Sequence, residues 1–209
     1  MKVSFCITCY SGDVHLLNNL LITLEEQTKA PHEIVVSSSG LYDLDLPKEL
    51  VIDGKSVPVV GTNSKERLIQ SVSRNRAVRQ SSGDILIFFD VDDIPHPQKI
   101  EVTQNIFSKG EVEALVHTYS QNQASFEPVT SEKVIRIAGK NPTCTNLLEP
   151  QKDSSIHHAH IAVKREILEE VLFNETFEYY RSEDGKFCQD LFDAGVKIYY
   201  LHEPLVDYR

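Results

Sequence analysis

The chain contains Gly83-Asp84-Ile85-Leu86-Ile87-Phe88-Phe89-Asp90-Val91-Asp92-Asp93, an apolar run that stops abruptly in three carboxylates. Five large apolar residues bounded by charge predict a strand buried on both faces that delivers its acids to its carboxyl edge. Asp90 and Asp92 stand two residues apart, so if the backbone stays extended, both point to one side. Paired hard oxygen ligands, with room left for phosphate oxygens and water, suit magnesium or manganese in phosphate chemistry. The plainer reading of the same residues is a strand followed by an acidic turn that Pro95 and Pro97 stop. What the rest of the chain places near these acids decides between the two.

The frame is that of one large α/β domain over residues 1–209, and it could be the first domain of a longer protein. Hydrophobic residues at 41% and charged residues at 25% give ordinary globular composition, with no disorder or repeat signature. Apolar stretches are strand-sized, shorter than a membrane helix needs, and no basic region precedes a signal core. The expectation is a soluble, cytoplasmic chain without a transmembrane segment. A formal net charge of −10 argues against nucleic acid as a partner, because phosphate backbones demand a basic surface. Cys6 and Cys9 have the spacing of a redox pair or half a zinc site, but Cys6 lies inside an apolar strand and Cys144 and Cys188 stand alone. Buried structural thiols are the reading adopted.

Several elements must position the acids. Lys2 to Thr8 predicts a first strand, and Ser11 or Asp13 can cap a helix from Val14 to Gln27, whose leucines at 16, 17, 20, 21 and 24 form one apolar stripe. Glu33 to Val36 is a second strand ending in Ser37-Ser38-Ser39-Gly40, and the strand-helix-strand order implies a parallel pair. Short extended pieces follow around Leu50–Ile52 and Val57–Val60. Lys65, Arg67, Arg74, Arg76 and Arg79 then concentrate positive charge in an otherwise acidic protein. The helix from Ser71 to Ser81 is either a solvated basic face or a surface turned toward anions at the acid strand. Pro97 opens a helix to about Phe107. Ala114–Val116 and Val134–Ile137 are further strands, and 139–155 is a polar loop of the length that often covers a site. His157 to Val163 has strand character, with His158 and His160 on one face, placed to supply a metal ligand or to contact a sugar or diphosphate. Ser182 can cap a helix that opens with Glu183 and Asp184, where a helix dipole favours acids. Val196–Leu201 is a last strand, followed by an extended tail.

In this order the motifs resemble those of the GT-A fold glycosyltransferases, and within them the large inverting family known as family two. Val3 to Tyr10 resembles that family's opening strand, whose end contacts the nucleotide. Ser73-Arg74-Asn75, Gly83-Asp84 and Asp90-Val91-Asp92-Asp93 resemble its alanine-arginine-asparagine helix and DXD motif. Glu183-Asp184, with Gly195 and Tyr208-Arg209 after it, resembles the acceptor-side block that supplies the base.

The resemblance covers nearly the whole chain and implies a GT-A (Rossmann-like) fold, with a mostly parallel central sheet flanked by helices. The half up to about residue 110 would hold the donor, and the half from about 111 the acceptor. It implies transfer of one sugar from a nucleotide-diphosphate sugar, with UDP favoured, to a glycan, protein or lipid hydroxyl. Thr8, Cys9, Tyr10, Ser37, Ser38, Arg74, Asp90, Val91 and Asp92 would contact the nucleotide sugar. Mn2+ or Mg2+ would sit on Asp92, with Asp90 on ribose or metal and His160 as a further ligand. Asp184 would be the base, with Glu183 as fallback, and His158 would contact acceptor or diphosphate.

The chain departs from the family pattern after the second strand, where Ser37-Ser38-Ser39 replaces the usual acids. It also lacks the QxxRW motif of processive synthases, which favours transfer of single sugars. The competing readings are a DxD-type phosphatase, a sugar nucleotidyltransferase and a non-catalytic nucleotide-sugar or glycan-binding module. The phosphatase normally carries its nucleophilic Asp on the first strand, and the glycine-rich, lysine-containing signature of the nucleotidyltransferase is missing near this chain's first strand.

Overall fold

A computed structural model describes residues 1–41, 43–121, 125–132, 134–136, 161–176 and 183–209. Strands β1 (Val3–Tyr10), β2 (Glu33–Ser39), β4 (Lys55–Ser64) and β5 (Ile85–Asp90) run parallel, in the spatial order β4-β2-β1-β5. All four therefore end on one edge, at Tyr10, Ser39, Ser64 and Asp90. The edge strand β3 (Glu49–Ile52) pairs antiparallel with β4.

Beyond β5 the sheet becomes mixed. Strand β9 (Ile161–Lys164) inserts antiparallel between β5 and β7 (Ala114–Gln121), and β10 (Ile198–Tyr208) lies parallel to β7. The short β6 (Ile94–Pro95) and β8 (Val134–Arg136) both pair antiparallel with β10. The mostly parallel arrangement expected of the sheet holds for β4-β2-β1-β5 and for β7 with β10. The tail expected after Leu201 is instead part of β10, whose register shifts on either side of Pro204. Proline has no N–H for the ladder, so a strand that passes through one does so with an irregularity.

Both faces of the central strands are covered, as their unbroken apolar sequences require. On one face, Phe5, Ile7, Ile87 and Phe89 pack with Leu17, Leu20, Leu21 and Leu24 of α1 (Val14–Leu24) and Ile100 and Ile106 of α3 (Lys99–Phe107). On the other, Cys6, Leu86 and Phe88 pack with Ala77 and Val78 of α2 (Gln70–Gln80), Leu168 of α4 (Arg165–Leu168) and Phe187 and Leu191 of α5 (Glu183–Asp193). Phe88 meets Phe173 edge-on with centroids 5.1 Å apart, and Phe173 stacks on Phe187 at 3.9 Å. Cys6, Cys9 and Cys188 are buried free thiols, and burial followed by Asp13 pushes Cys9 up to about 12, which keeps it protonated at neutral pH.

The amino edge is tied by polar contacts. Ser4 Oγ donates to Glu33 Oε1 at 2.6 Å, and the Ser82 N–H donates to the same oxygen. The Gly83 N–H donates to Ser4 Oγ at 2.9 Å, and a Cβ at residue 83 would lie 2.7 Å from the Ser4 backbone nitrogen, so only glycine fits. Arg165 closes the edge by donating to the Gly83 carbonyl at 2.7 Å.

Two outcomes follow from this packing. Phe88→Ala removes the ring at the centre of the α2/α5 face and is expected to cost about 3–5 kcal/mol in urea denaturation. Burial alone would raise the Glu33 carboxyl, but bonds from Ser4 and Ser82 outweigh it and leave the carboxyl below its ordinary value. A depressed folded-state pKa gives stability that is complete above the unfolded pKa near 4.5 and lost as pH falls through the folded value. Glu33→Gln should remove that part of the acid dependence in denaturant titrations at pH 3 to 6.

Candidate functional site

Chain ends of β1, β2 and β5 converge because their parallel register sets Thr8 beside both Asp90 and Ser37, and Tyr10 beside Ser39. Where the strands stop, a cleft of about 270 Å³ opens, lined by Thr8, Cys9, Tyr10, Asp13, Ser39, Arg67, Leu68, Gln70, Asp90, Val91 and Asp92. Strand β5 ends at Asp90, and the backbone turns through Val91 and Asp92, with the Asp93 N–H 3.4 Å from the Asp90 carbonyl. The extended geometry therefore does not continue through the acids, yet Asp90 and Asp92 both face the cleft. The Arg67 guanidinium lies 4.7 Å above the Tyr10 ring at the same opening. Asp13, named with Ser11 as a possible cap, stands at the N-cap position of α1 but makes no side-chain capping bond and lines the cleft.

Behind the cleft, Arg74 of α2 is 1% exposed, and its guanidinium reaches three carboxylates. Nη2 lies 3.4 Å from Asp90 Oδ1, and Nη1 lies 3.3 Å from Glu183 Oε1 and 3.1 Å from Asp184 Oδ1. The Phe173 ring lies 5.3 Å from Arg74 Cζ. Thr8 Oγ1 donates to the same Asp90 oxygen at 3.4 Å. Neighbouring Asn75 fixes the Phe173 segment, donating to its carbonyl at 2.8 Å and accepting its N–H at 3.0 Å. The other basic residues of the helix bond to the chain nearer the surface: Arg76 donates to Thr62 and Asn63, and the exposed Arg79 pairs with Glu175 at 3.2 Å.

Thr8, Cys9, Tyr10, Asp90, Val91 and Asp92, named above as nucleotide contacts, all line the cleft. Ser37 and Ser38 do not. Both are fully buried, and Ser38 Oγ donates to Asn63 at 3.0 Å, while Ser39 at the end of β2 faces the opening. Alternation along β2 carried the signal, because Ser39 shares a face with Ser37 and lies closer to the open edge. Arg74 was expected at the nucleotide, and its guanidinium is occupied by Asp90, Glu183 and Asp184. Glu183 and Asp184 open α5 and stand beside Arg74 and Asp90. His158, His160 and Ser182, the cap expected for α5, lie outside the described residues.

Asp90 and Asp92 fit a hard divalent cation as an open pair. Asp92 is exposed and the Asp90 side chain is 16% exposed, so oxygen ligands from phosphate and water could complete a coordination shell. Among the described residues, no three His, Cys, Asp or Glu side chains form a closed metal site. Burial, then Asp93, Asp92 and Asp90, raise the Tyr208 phenol, which places the end of β10 in the field of the same acids.

The chain is similar in sequence to two glycosyltransferases and in fold to a solved structure. The uncharacterized glycosyltransferase YfnE of Bacillus subtilis is 29% identical over 151 residues, covering 68% of this chain and 37% of that protein. The amylovoran biosynthesis glycosyltransferase AmsB of Erwinia amylovora is 24% identical over the full chain, which spans 70% of AmsB. Residues 1–349 of S. aureus TarS, solved with UDP-GlcNAc, superpose with a TM-score of 0.67 at 15% identity, covering 100% of this chain and 58% of that one. This likeness establishes the GT-A, Rossmann-like fold. No helix among the described residues is long and apolar enough to cross a membrane. Residues 4–172 match the sequence model of glycosyl transferase family 2, and the chain belongs to that family.

Proposed function

We propose that this domain transfers one sugar from a nucleotide-diphosphate sugar to an acceptor hydroxyl, in a single inverting displacement. The observation that carries the reading is the bridge made by Arg74. It joins Asp90, at the wall of the donor cleft, to Asp184 at the start of α5. A displacement needs a departing diphosphate and an attacking hydroxyl on opposite sides of the anomeric carbon, with a base near the second. The bridge brings an acid suited to each task into one cluster. Family membership supports the reaction class, and the UDP-GlcNAc complex of TarS supports a uridine nucleotide as donor.

The diphosphate lies against Thr8, Asp90 and Asp92, and the base and ribose lie toward Tyr10, Ser39 and Arg67. Asp92 and Asp90 would hold a divalent ion, manganese or magnesium, which would supply charge neutralisation for the departing diphosphate. Asp184 takes the proton of the acceptor hydroxyl, and Arg74, 3.1 Å from its Oδ1, orients that carboxylate. Glu183, 7% exposed, completes the cradle around the guanidinium. Residues to about 110 form the donor half and those beyond it the acceptor half. The acceptor itself is a glycan, protein or lipid hydroxyl.

Calorimetric titration with a panel of nucleotide sugars is expected to give metal-dependent binding of a UDP-sugar that chelator abolishes. Asp92→Asn should remove the metal dependence, and donor binding that survives it unchanged would exclude this site. Asp184→Asn should lower transfer about 10²–10⁴-fold with donor affinity retained, the usual loss for a proton-transfer residue. Donor binding with no turnover that depends on Asp184 would identify a binding module instead. Arg74→Met leaves its carboxylate partners without their guanidinium and is expected to cost about 3–5 kcal/mol of stability. Arg74→Lys should recover little of the loss, because an ammonium lacks the planar fork that reaches several carboxylates.

A further inference from the structure

Arg74, Arg76 and Arg79 are each tied to oxygens of the chain, and Arg67 is not. It stands exposed in the connection between β4 and α2, and among the described residues its guanidinium makes no hydrogen bond or ion pair. The guanidinium lies instead over the ring of Tyr10, 4.7 Å from the centroid. The backbone that carries it is pinned to the end of β2. The Gly40 N–H donates to the Glu66 carbonyl at 3.0 Å, and the Leu41 N–H to the Ser64 carbonyl at 3.2 Å. Arg67 can therefore leave the ring by rotation of its side chain alone.

Tyr10 ends β1 at the mouth of the cleft and is 37% exposed. Its ring lies down on the turn that follows. A Cβ at residue 12 would be 2.8 Å from Cε2, Cζ and Oη of Tyr10 alike. No point in the plane of the ring is that far from all three atoms, so Gly12 lies over the ring and not beyond its edge. Between them, Gly12 and Arg67 cover the flat surface that a stacking ligand needs.

A guanidinium and a nucleobase both seat flat on an aromatic face, so they compete for this one. An exposed cation–π contact favours the covered ring about two- to fivefold, whereas stacking a base on an aromatic side chain is worth about five- to 150-fold in affinity. The base wins the ring. A diphosphate without a base has nothing to stack and leaves the guanidinium in place.

We propose that Arg67 is a displaceable cap on the nucleobase subsite, an autoinhibitory contact that an entering base breaks and that re-forms as the nucleotide leaves. The inference rests on the reading of the cleft as a nucleotide-sugar site with its base toward Tyr10.

The test measures, by calorimetry, the affinities of UDP and of inorganic diphosphate, each with magnesium, for the parent chain, Arg67→Ala, Tyr10→Leu and the double variant. The ratio of the two affinities isolates what the nucleoside adds and cancels the lost charge of the arginine, which both ligands feel. Arg67→Ala should raise that ratio about three- to sixfold, the factor by which a ring capped this strongly lowers apparent affinity. Tyr10→Leu should lower the ratio, and adding Arg67→Ala to it should change nothing further, because no ring remains to be uncapped. By NMR, the Arg67 Hδ protons of the parent should be shifted upfield by the Tyr10 ring current and should lose that shift at saturation with UDP, but not with diphosphate.

A ratio that falls in Arg67→Ala would make the arginine a contact of the base and overturn the cap. An unchanged ratio, or Arg67 protons that keep their shift under saturating UDP, would overturn it as well. Should Tyr10→Leu fail to fold, the ratio in Arg67→Ala and the proton shifts decide between these results. If the parent binds neither ligand with magnesium, the donor site itself fails and the cap falls with it.

Discussion

One guanidinium bears the strongest constraint in this molecule. Arg74 is almost fully buried, and the cost of removing a cation from water is met only because three carboxylates arrive from two different places. Asp90 comes from the end of β5, and Glu183 and Asp184 from the start of α5. The surrounding fold can be read as what this convergence requires. Strand β5 must end at the right depth, α2 must lie across its face, and α5 must begin beside it. The Phe88, Phe173 and Phe187 rings supply the apolar floor, and Asn75 ties the Phe173 segment to the same helix. An arginine suits the role because it stays charged at any working pH and its planar fork meets several oxygens at once.

Much of this was legible in the sequence, because the central elements carry strong periodicity. Leucines at helical spacing, as in α1, must be laid on an apolar surface, and an apolar run closed by acids, as in β5, must stay buried until it meets solvent. Charge was harder to read. Five basic residues around α2 left open a solvated face or a surface for anions, but sequence does not say which face a cation takes, and Arg74 turned inward. The burial of Lys99 in α3 was invisible for the same reason, since a lone lysine in an amphipathic helix ordinarily lies on the solvent side. The triple serine shows how one position changes the outcome: alternation puts Ser37 and Ser39 on one face, but only the last is near enough to the opening. Strand direction was also hidden. Nothing in Ile161-Ala162-Val163 distinguishes a strand that continues the parallel order from one that runs against it, and β9 runs against it.

Sequence separation within the site has a kinetic meaning. Arg74 meets Asp184 across 110 residues, and Asp93 meets Arg209 across 116. Contacts this distant close only after large loop entropy has been overcome, so they form late in folding compared with α1 or the β3–β4 hairpin. A chain emerging from the ribosome can complete the parallel strands β1, β2, β4 and β5 well before residue 183 exists. Until then Arg74 has neither Glu183 nor Asp184, and the apolar face that later receives α5 stays uncovered. The most vulnerable interval in the life of this protein therefore precedes the synthesis of its last short helix.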